Sequence, residues 1–441
     1  MENTTKIHVL RVKNALQGKV VIPGDKSCSQ RALMLASQML GTTVISGLLE
    51  SNDVMATKNA LIGLGVKINK EGNDWVVEGS GLGSLANPDN VLDLQNSGTG
   101  VRLLMGLVST MNVRVVFTGD SSLRSRPMGR VMSPLKKYAA EFSPRDKDFL
   151  PVEVVGNMSS TAISHEIEVP SAQVKSALLL ASLNAHGESD FIETTLTRDH
   201  TEIMMRYLGF DIVEKLENNK KYISINATND LPAKDITVSG DPSSAAFLVA
   251  AAILIKGSNI TIKNVLINEH RIGFYQILEL MNAKVSFNNI REVSGEKVAD
   301  ITAEYSDLKA VDIPAEYAPR TIDEYPILAI LSSQAVGTTR MNGLTELKIK
   351  ESNRLDAIVQ NLEKCQVDVK SGDDWMEIEY SPNIKSSDII ETCHDHRIAM
   401  SFIILGLISE NGIVIDDITM INTSFPEFFD KFKELGINIK E

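Results

Sequence analysis

Six times along this chain of 441 residues, a short polar loop runs into an apolar helix rich in small residues. The loops begin at Gly24-Asp25-Lys26-Ser27, Asn96-Ser97-Gly98-Thr99, Ser171-Ala172-Gln173, Gly240-Asp241-Pro242-Ser243-Ser244, Ile322-Asp323-Glu324-Tyr325 and His394-Asp395-His396-Arg397. The steps between Gly24, Asn96, Ser171, Gly240, Asp323 and Asp395 are 72, 75, 69, 83 and 72 residues. So regular a period means one structural unit used six times. It also locates the chemistry. A helix N-terminus offers unpaired N–H groups and the positive end of a dipole, so six of them converging would make a strong anion site.

The length exceeds one ordinary core, and two domains are expected. The 44 Lys and Arg against 57 Asp and Glu leave a net charge of −13, which excludes nucleic acid or an anionic membrane as the main partner. A basic cleft inside an acidic protein is still compatible with this balance, because several Arg and Lys sit in the repeated loops. No stretch reaches the roughly 18 uncharged apolar residues of a membrane span, and Met1 to Leu10 lacks a signal-peptide core. Three cysteines (Cys28, Cys365, Cys393) form no C-x-x-C pair, so neither a disulfide framework nor a zinc site is expected. The cytoplasm is the expected compartment.

Each repeat also carries strands and a second helix. Lys19 to Ile22, Val113 to Thr118, Glu166 to Val169, Ile260 to Lys263 and Ile413 to Asp416 are β-branched, strand-like runs. Second helices are expected at Val54 to Leu64, Thr201 to Leu208, Phe274 to Met281, Arg354 to Cys365 and Phe425 to Leu435. The class is therefore α/β or α+β with repeated units. Phe142 to Asp148 reads as a polar loop. Gly72-Asn73-Asp74 and Gly372-Asp373-Asp374 read as hairpin turns before Trp75 and Trp375.

Several loops carry chemistry as well as turns. Lys26 and Arg31 flank a helix start where Ser27 and Ser29 can cap the helix or hold a ligand oxygen, though no P-loop pattern is present. Asn96 to Gly100 with Arg102 is a second glycine-containing loop before an apolar run, and alone it reads as a plain capped turn. Arg124 and Arg126 share a loop with Pro127, and Arg suits bidentate carboxylate or phosphate contacts. Ser171, Gln173 and Lys175 offer hydroxyl, amide and ammonium donors at one helix start, while His200 fits a capping or core histidine better than a catalyst. In the second half, Asp323-Glu324, Lys348-x-Lys350-Glu351-Ser352-x-Arg354 and Asp395-His396-Arg397 set carboxylates beside cations. Such a mixture serves proton transfer near bound anions, or salt-bridged helix ends. Recurrence at one place in six repeats favours the functional reading.

In order, the chain carries G-D-K-S-x-S-x-R-A at 24–32, N-S-G-T at 96–99, R-P-M at 126–128, S-A-Q-V-K-S-A at 171–177 and R-D-H-T-E at 198–202. There follow G-D-x-S-S-A-A-F at 240–247, I-D-E-Y-P at 322–326, K-E-S-x-R at 350–354 and D-H-R-x-A-M at 395–400. The ordered set resembles the 5-enolpyruvylshikimate-3-phosphate synthases over nearly the whole chain. The resemblance implies the two-domain enolpyruvyl transferase fold of six βαβαββ repeats, three per domain. Residues 1–21 and 240–441 would form a discontinuous first domain and 22–239 the second, with the active site in the cleft between them.

The implied reaction moves the enolpyruvyl group of phosphoenolpyruvate to the 5-hydroxyl of shikimate 3-phosphate and releases phosphate. By resemblance, Lys26, Gly98, Arg126, Gln173, Arg354 and Arg397 hold phosphoenolpyruvate. Lys26, Ser27, Arg31, Ser171, Ala172, Gln173, Arg198, Asp323 and Lys350 hold shikimate 3-phosphate, and Arg102 lies near the site. Asp323 is implied as the base, with Glu351 or Lys26 delivering a proton. No metal, organic cofactor, nucleic acid or membrane is implied, and a monomer is expected. Where some members carry a lysine before the S/T-F-P motif, this chain has Thr423, so one anion contact is absent or replaced. The family is the target of glyphosate, which competes with phosphoenolpyruvate beside Asn96 to Gly100. Thr99, Gly100 and Leu103 depart from the commonest sensitive pattern, which leaves sensitivity or tolerance open.

Three rivals fit less well. The enolpyruvyl transferase acting on UDP-N-acetylglucosamine would want Lys-Asn at Lys26-Ser27 and a cysteine in the loop Arg124 to Met128. RNA 3′-phosphate cyclase would need a nucleophilic late histidine, and His396 belongs to D-H-R. A non-catalytic binder of phosphorylated metabolites would have no use for Asp323 and Glu351, because carboxylates weaken anion binding.

Overall fold

The computed structural model describes residues 5–227 and 229–439. The chain divides into two compact units. One comprises Met1–Pro23, Ser239–Arg291 and Lys297–Glu441; the other comprises Gly24–Val238 with Glu292–Glu296.

Each unit is built around three central helices. In the second unit these are Lys26–Ala36, Gly98–Ser109 and Ala172–Ser182; in the first, Pro242–Leu254, Tyr325–Ser333 and His396–Gly406. They lack an amphipathic pattern because they are buried on every side, apart from a few residues near their ends. Small residues let them approach closely. At Gly106 a Cβ would stand 2.2 Å from the Ala177 carbonyl oxygen, so the helices Gly98–Ser109 and Ala172–Ser182 touch backbone to backbone there. Each fully buried Leu, Ile or Val in these helices contributes roughly 1.5–3 kcal/mol relative to exposure.

Sheets wrap the central helices. After each of the first five central helices come a strand, a second helical segment and a two-stranded hairpin, as in Leu40–Ser46, Asn52–Gly63, Lys67–Glu71 and Asp74–Ser80. Five four-stranded sheets share one pairing pattern, in which an outer strand runs parallel to the strand that follows the central helix. Two of these outer strands come from distant parts of the chain. Ile236–Thr237 pairs with Ile45 and Ser46, closing the first repeat with the end of its own unit. Gln17–Val21 pairs with Asn259–Leu266, so the fourth repeat borrows its outer strand from the N-terminus. In the sixth repeat Ile413–Ile415 pairs antiparallel with Ile7–Val9, again from the N-terminus, and the described chain ends after the helix Phe428–Glu434.

The expected central and second helices all form, and both glycine turns close hairpins. Glu71 pairs with Asp74 across Gly72-Asn73, and Ser371 with Met376 across the second turn. The segment read as a loop is instead the strand Glu141–Asp146, paired with Phe149–Val155. It is an edge strand with no buried position, so it lacks the apolar alternation that betrays a strand. The helix expected from Phe425 begins only at Phe428, because Pro426 disfavours helical backbone at the residue before it. The third strand ends at Ile167 rather than Val169. Among the described residues no helix is long and apolar enough to cross a membrane.

Candidate active site

In the second unit the central helices surface only in their first turns. Lys26, Ser27, Thr99, Arg102, Ala172 and Gln173 are half-buried there, and the following turns are buried. These first turns are knitted together. The Arg102 guanidinium donates to the Gly98 carbonyl at 3.2 Å, to Gln173 Oε1 at 3.0 Å and to the Pro127 carbonyl at 3.2 Å. Gln173 Nε2 donates to Thr99 Oγ1 at 3.0 Å. Arg126 reaches the same place from its loop, donating to Asn96 Oδ1 at 2.8 Å and Ser122 Oγ at 3.0 Å. Gly98 lies under both arginines, where an added Cβ would come within 2.9 Å of Arg102 and 3.2 Å of Arg126. Lys26 Nζ pairs with Asp53 Oδ2 at 2.9 Å.

Ser27 and Arg31 belong to a second cluster in that unit. The buried Arg31 donates to the Ser27 carbonyl at 3.0 Å, Thr201 Oγ1 at 2.7 Å and Ser176 Oγ at 2.7 Å. Burial lowers its pKa below that of an ordinary guanidinium. Ser171 Oγ accepts from the Val174 N–H at 3.3 Å, capping its helix beside the half-buried Ala172. Arg198 is half-buried on the loop before the helix His200–Leu208. Lys175 does not join this group as a donor at the helix start. It is fully buried and paired with Glu193 at 2.9 Å and Glu202 at 2.8 Å. Burial works against its charge, but the two glutamates outweigh that and hold its pKa above the ordinary lysine value. His200 is a buried histidine with Nδ1 2.7 Å from Glu296 Oε1, in keeping with a core role.

In the first unit one guanidinium organises three carboxylates. Arg354 is fully buried at the start of the helix Arg354–Lys364, which Asn353 caps. Its Nε donates to Asp395 Oδ2 at 2.7 Å, Nη1 lies 3.5 Å from Asp323 Oδ1, and Nη2 bonds Glu351. Burial opposes the charge on Arg354, but Asp395, Glu351 and Asp323 outweigh it and raise its pKa. Arg397 donates to the Asp323 backbone carbonyl at 2.8 Å, and its Nε lies 3.8 Å from Asp323 Oδ1. Lys350 stands beside them. Burial lowers its pKa, with Asp323 opposing the shift and Arg354 adding to it. Three acids (Asp323, Glu351, Asp395) thus balance three bases (Lys350, Arg354, Arg397). Asp323 and Glu351 keep about a fifth of their side-chain surface exposed, against almost none for Asp395 and Arg354. A group needs such access to exchange a proton with a ligand.

The fourteen residues given a substrate or catalytic role in the sequence thus divide between the two units. Nine lie in the second unit and five in the first. Helix capping takes part of what the loops offered. Asp25, Ser97, Ser171, Asp241 and Asp395 each accept an N–H of their own helix, so five of the six central helices arrive with a donor already used. Anion recognition therefore falls mainly to side chains. Thr423 donates to the Met420 carbonyl at 2.7 Å and lies 3.4 Å from His396 Nδ1. Sequence reasoning missed Asp53 as the partner of Lys26 and Asp395 as the anchor of Arg354. Asp395 stood in a visible motif, but its second role as helix cap gave no hint of the guanidinium behind it. Asp53 stood in no motif at all.

The family model for EPSP synthase (3-phosphoshikimate 1-carboxyvinyltransferase) matches residues 10–432. The chain is 46% identical over 427 residues to the 3-phosphoshikimate 1-carboxyvinyltransferase of Paramagnetospirillum magneticum, covering 96% of each. It is 44% identical to the protein of that name from a Pseudomonas strain, covering 98% of this chain and 96% of the relative. The solved EPSP synthase of Acinetobacter baumannii superposes with a TM-score of 0.87 at 37% identity, over 98% of both chains. The enolpyruvyl transferase NikO of Streptomyces tendae shares the fold at a TM-score of 0.75 and 16% identity, over 98% of this chain and 97% of that one. These matches span both units nearly from end to end, and the chain belongs to the EPSP synthase family.

Proposed function

We propose that this chain transfers the enolpyruvyl group of phosphoenolpyruvate to the 5-hydroxyl of shikimate 3-phosphate, the step of its family in the shikimate pathway. The observation that carries the catalytic reading is the ring around Arg354, where two partly exposed carboxylates share one buried cation. The 5-hydroxyl oxygen bonds to C2 of phosphoenolpyruvate as Asp323 takes its proton, and a proton is added at C3. The tetrahedral adduct then loses phosphate and a C3 proton to restore the enol ether.

Asp323 suits the base. Its carboxylate is partly exposed, and Arg354 and Arg397 hold it in place for the incoming hydroxyl. Glu351 suits the proton carrier for a related reason. Its carboxylate is partly exposed and bonded to Arg354, a guanidinium that an incoming carboxylate or phosphate would share, which brings Glu351 beside the ligand. Lys26 is a second proton carrier. Lys26, Arg126, Arg354 and Arg397 clamp phosphoenolpyruvate, with Gly98 and Gln173 against it. Ser27, Arg31, Ser171, Ala172, Gln173, Arg198, Asp323 and Lys350 serve shikimate 3-phosphate, Arg31 chiefly by fixing Ser27 through its carbonyl. The residues of both units act on one pair of substrates. The protein is a cytoplasmic monomer, and the reaction itself calls for no metal or organic cofactor.

Phosphate release from a mixture of the two substrates tests this reading. Wild type should release phosphate only when both are present. Asp323→Asn and Glu351→Gln should lose about 10²–10⁴-fold in kcat while keeping the native circular dichroism spectrum. Near-normal turnover by folded Asp323→Asn would reject the base.

A further inference from the structure

We propose that Asp25, Cys28 and His200 form a binding site for a soft divalent cation of the zinc class, separate from the groups that hold substrate. One carboxylate oxygen, the thiol sulfur and one ring nitrogen lie within 4.8 Å of one another. Ligand atoms 2.0–2.3 Å from a tetrahedral zinc stand about 3.5 Å apart, so closing the group takes side-chain shifts of roughly 1 Å. All three side chains are buried, at 0%, 3% and 1% exposure.

The surroundings supply what such a site needs. Asp25 Oδ1 accepts the Cys28 N–H at 2.7 Å, which fixes the carboxylate at the head of the helix Lys26–Ala36. A carboxylate has lone pairs enough to keep that bond and bind an ion. His200 Nδ1 lies 2.7 Å from Glu296 Oε1. With Nδ1–H donated to Glu296, the ring is oriented and Nε2 becomes the ligand nitrogen, as carboxylate-supported histidines do in metal sites. Cys28 sits in the first turn of its helix, three residues before Arg31; burial and the neighbouring Asp25 work against its thiolate, so the bound ion itself supplies the charge that stabilises it. Carboxylate, thiolate and neutral imidazole sum to two negative charges, matching a divalent ion. Binding costs the thiol its S–H proton, which passes to solvent, and the ion replaces whatever contacts the three groups make without it. The cysteine spacing gave no hint of zinc, because the third ligand comes from a distant segment.

Titrating the full-length protein with Co²⁺, a spectroscopic stand-in for zinc, tests the site. The expected result is a thiolate-to-cobalt charge-transfer band that saturates at one equivalent, is lost on adding Zn²⁺, and strengthens as pH rises. Cys28→Ser should abolish the band, and Glu296→Gln should weaken Co²⁺ binding about 10–100-fold. A Cys365→Ser/Cys393→Ser double variant, which retains Cys28, should keep the band, so the assignment does not depend on one variant folding. Absence of the band in wild type, or its loss in the double variant, overturns the proposal, as does its survival in folded Cys28→Ser.

Discussion

Gly98 shows how much a single side chain can decide. Adding a methyl group there presses on the tips of Arg102 and Arg126, which are flexible ends rather than backbone, so the fold can yield. The arginines then move by a few tenths of an ångström away from the anion they are proposed to clamp. Gly98→Ala should raise KM for phosphoenolpyruvate on the order of tenfold, with kcat and thermal stability little changed. Equal loss in KM for both substrates would contradict that placement. Lys175 behaves oppositely, because its partners cannot follow it into solvent. Lys175→Met leaves Glu193 buried without its cation and Glu202 with only the more distant Lys221, and should cost about 3–5 kcal/mol in a denaturant titration. The Lys175 pKa is raised in the fold, so its contribution is complete below about pH 10.4 and fades as pH climbs through the raised value. The gap between wild type and Lys175→Met should therefore shrink at strongly alkaline pH. Sequence pattern could place Lys175 at a helix start but could not say which way it pointed. Gln173, two residues earlier, surfaces, while Lys175 turns inward to glutamates 18 and 27 residues further on.

At the scale of the element, the central helices were the most legible part of the chain. Their apolar runs, their Gly and Ala content and their caps all agree, and five of the six caps form the hydrogen bond that their residue type suggests. Glu324 is the exception. It heads its helix without a side-chain cap, and its carboxylate instead accepts from the Ser243 hydroxyl. Edge strands were the least legible, since Glu141–Asp146 buries no side chain and leaves no apolar trace. Helix contact can be tested at Gly106. Alanine is the better helix former by about 0.8–1.0 kcal/mol, which argues for stabilisation by Gly106→Ala. The new Cβ, however, would meet the Ala177 oxygen at 2.2 Å and its Cα at 2.6 Å, both backbone atoms inside another buried helix. The overlap should win, leaving the variant about 1–3 kcal/mol less stable in equilibrium denaturation. A stabilised Gly106→Ala would mean that the two helices can part at low cost.

For the whole molecule, periodicity revealed six repeats, but the return of the N-terminus to the last three came only from the family resemblance. The reason is physical: a short strand such as Ile7–Val9 or Gln17–Val21 carries no mark of the partner it will choose. The pairing makes the two units unequal as pieces of chain. Residues 24–238 contain every strand of three four-stranded sheets, including Ile236–Thr237, which closes the first. An added Cβ on Gly24 would stand 2.9 Å from Val238, so the two ends of this piece meet. Residues 239–441 lack both Gln17–Val21 and Ile7–Val9, and without them Ile260, Ile262, Ile413 and Ile415 lose the cover of Val9, Leu16 and Val20. Expressed alone, 24–238 should fold and melt cooperatively, somewhat weakened because His200 loses Glu296. Residues 239–441 alone should aggregate or remain unfolded. Joining 1–23 to 239–441 should restore a cooperative melt, since the Asp241 N–H already donates to the Pro23 carbonyl at 3.1 Å and a short linker suffices. Circular dichroism melts of the three pieces decide the matter. A cooperative melt from 239–441 without its N-terminal strands would show that those strands decorate the unit rather than complete it.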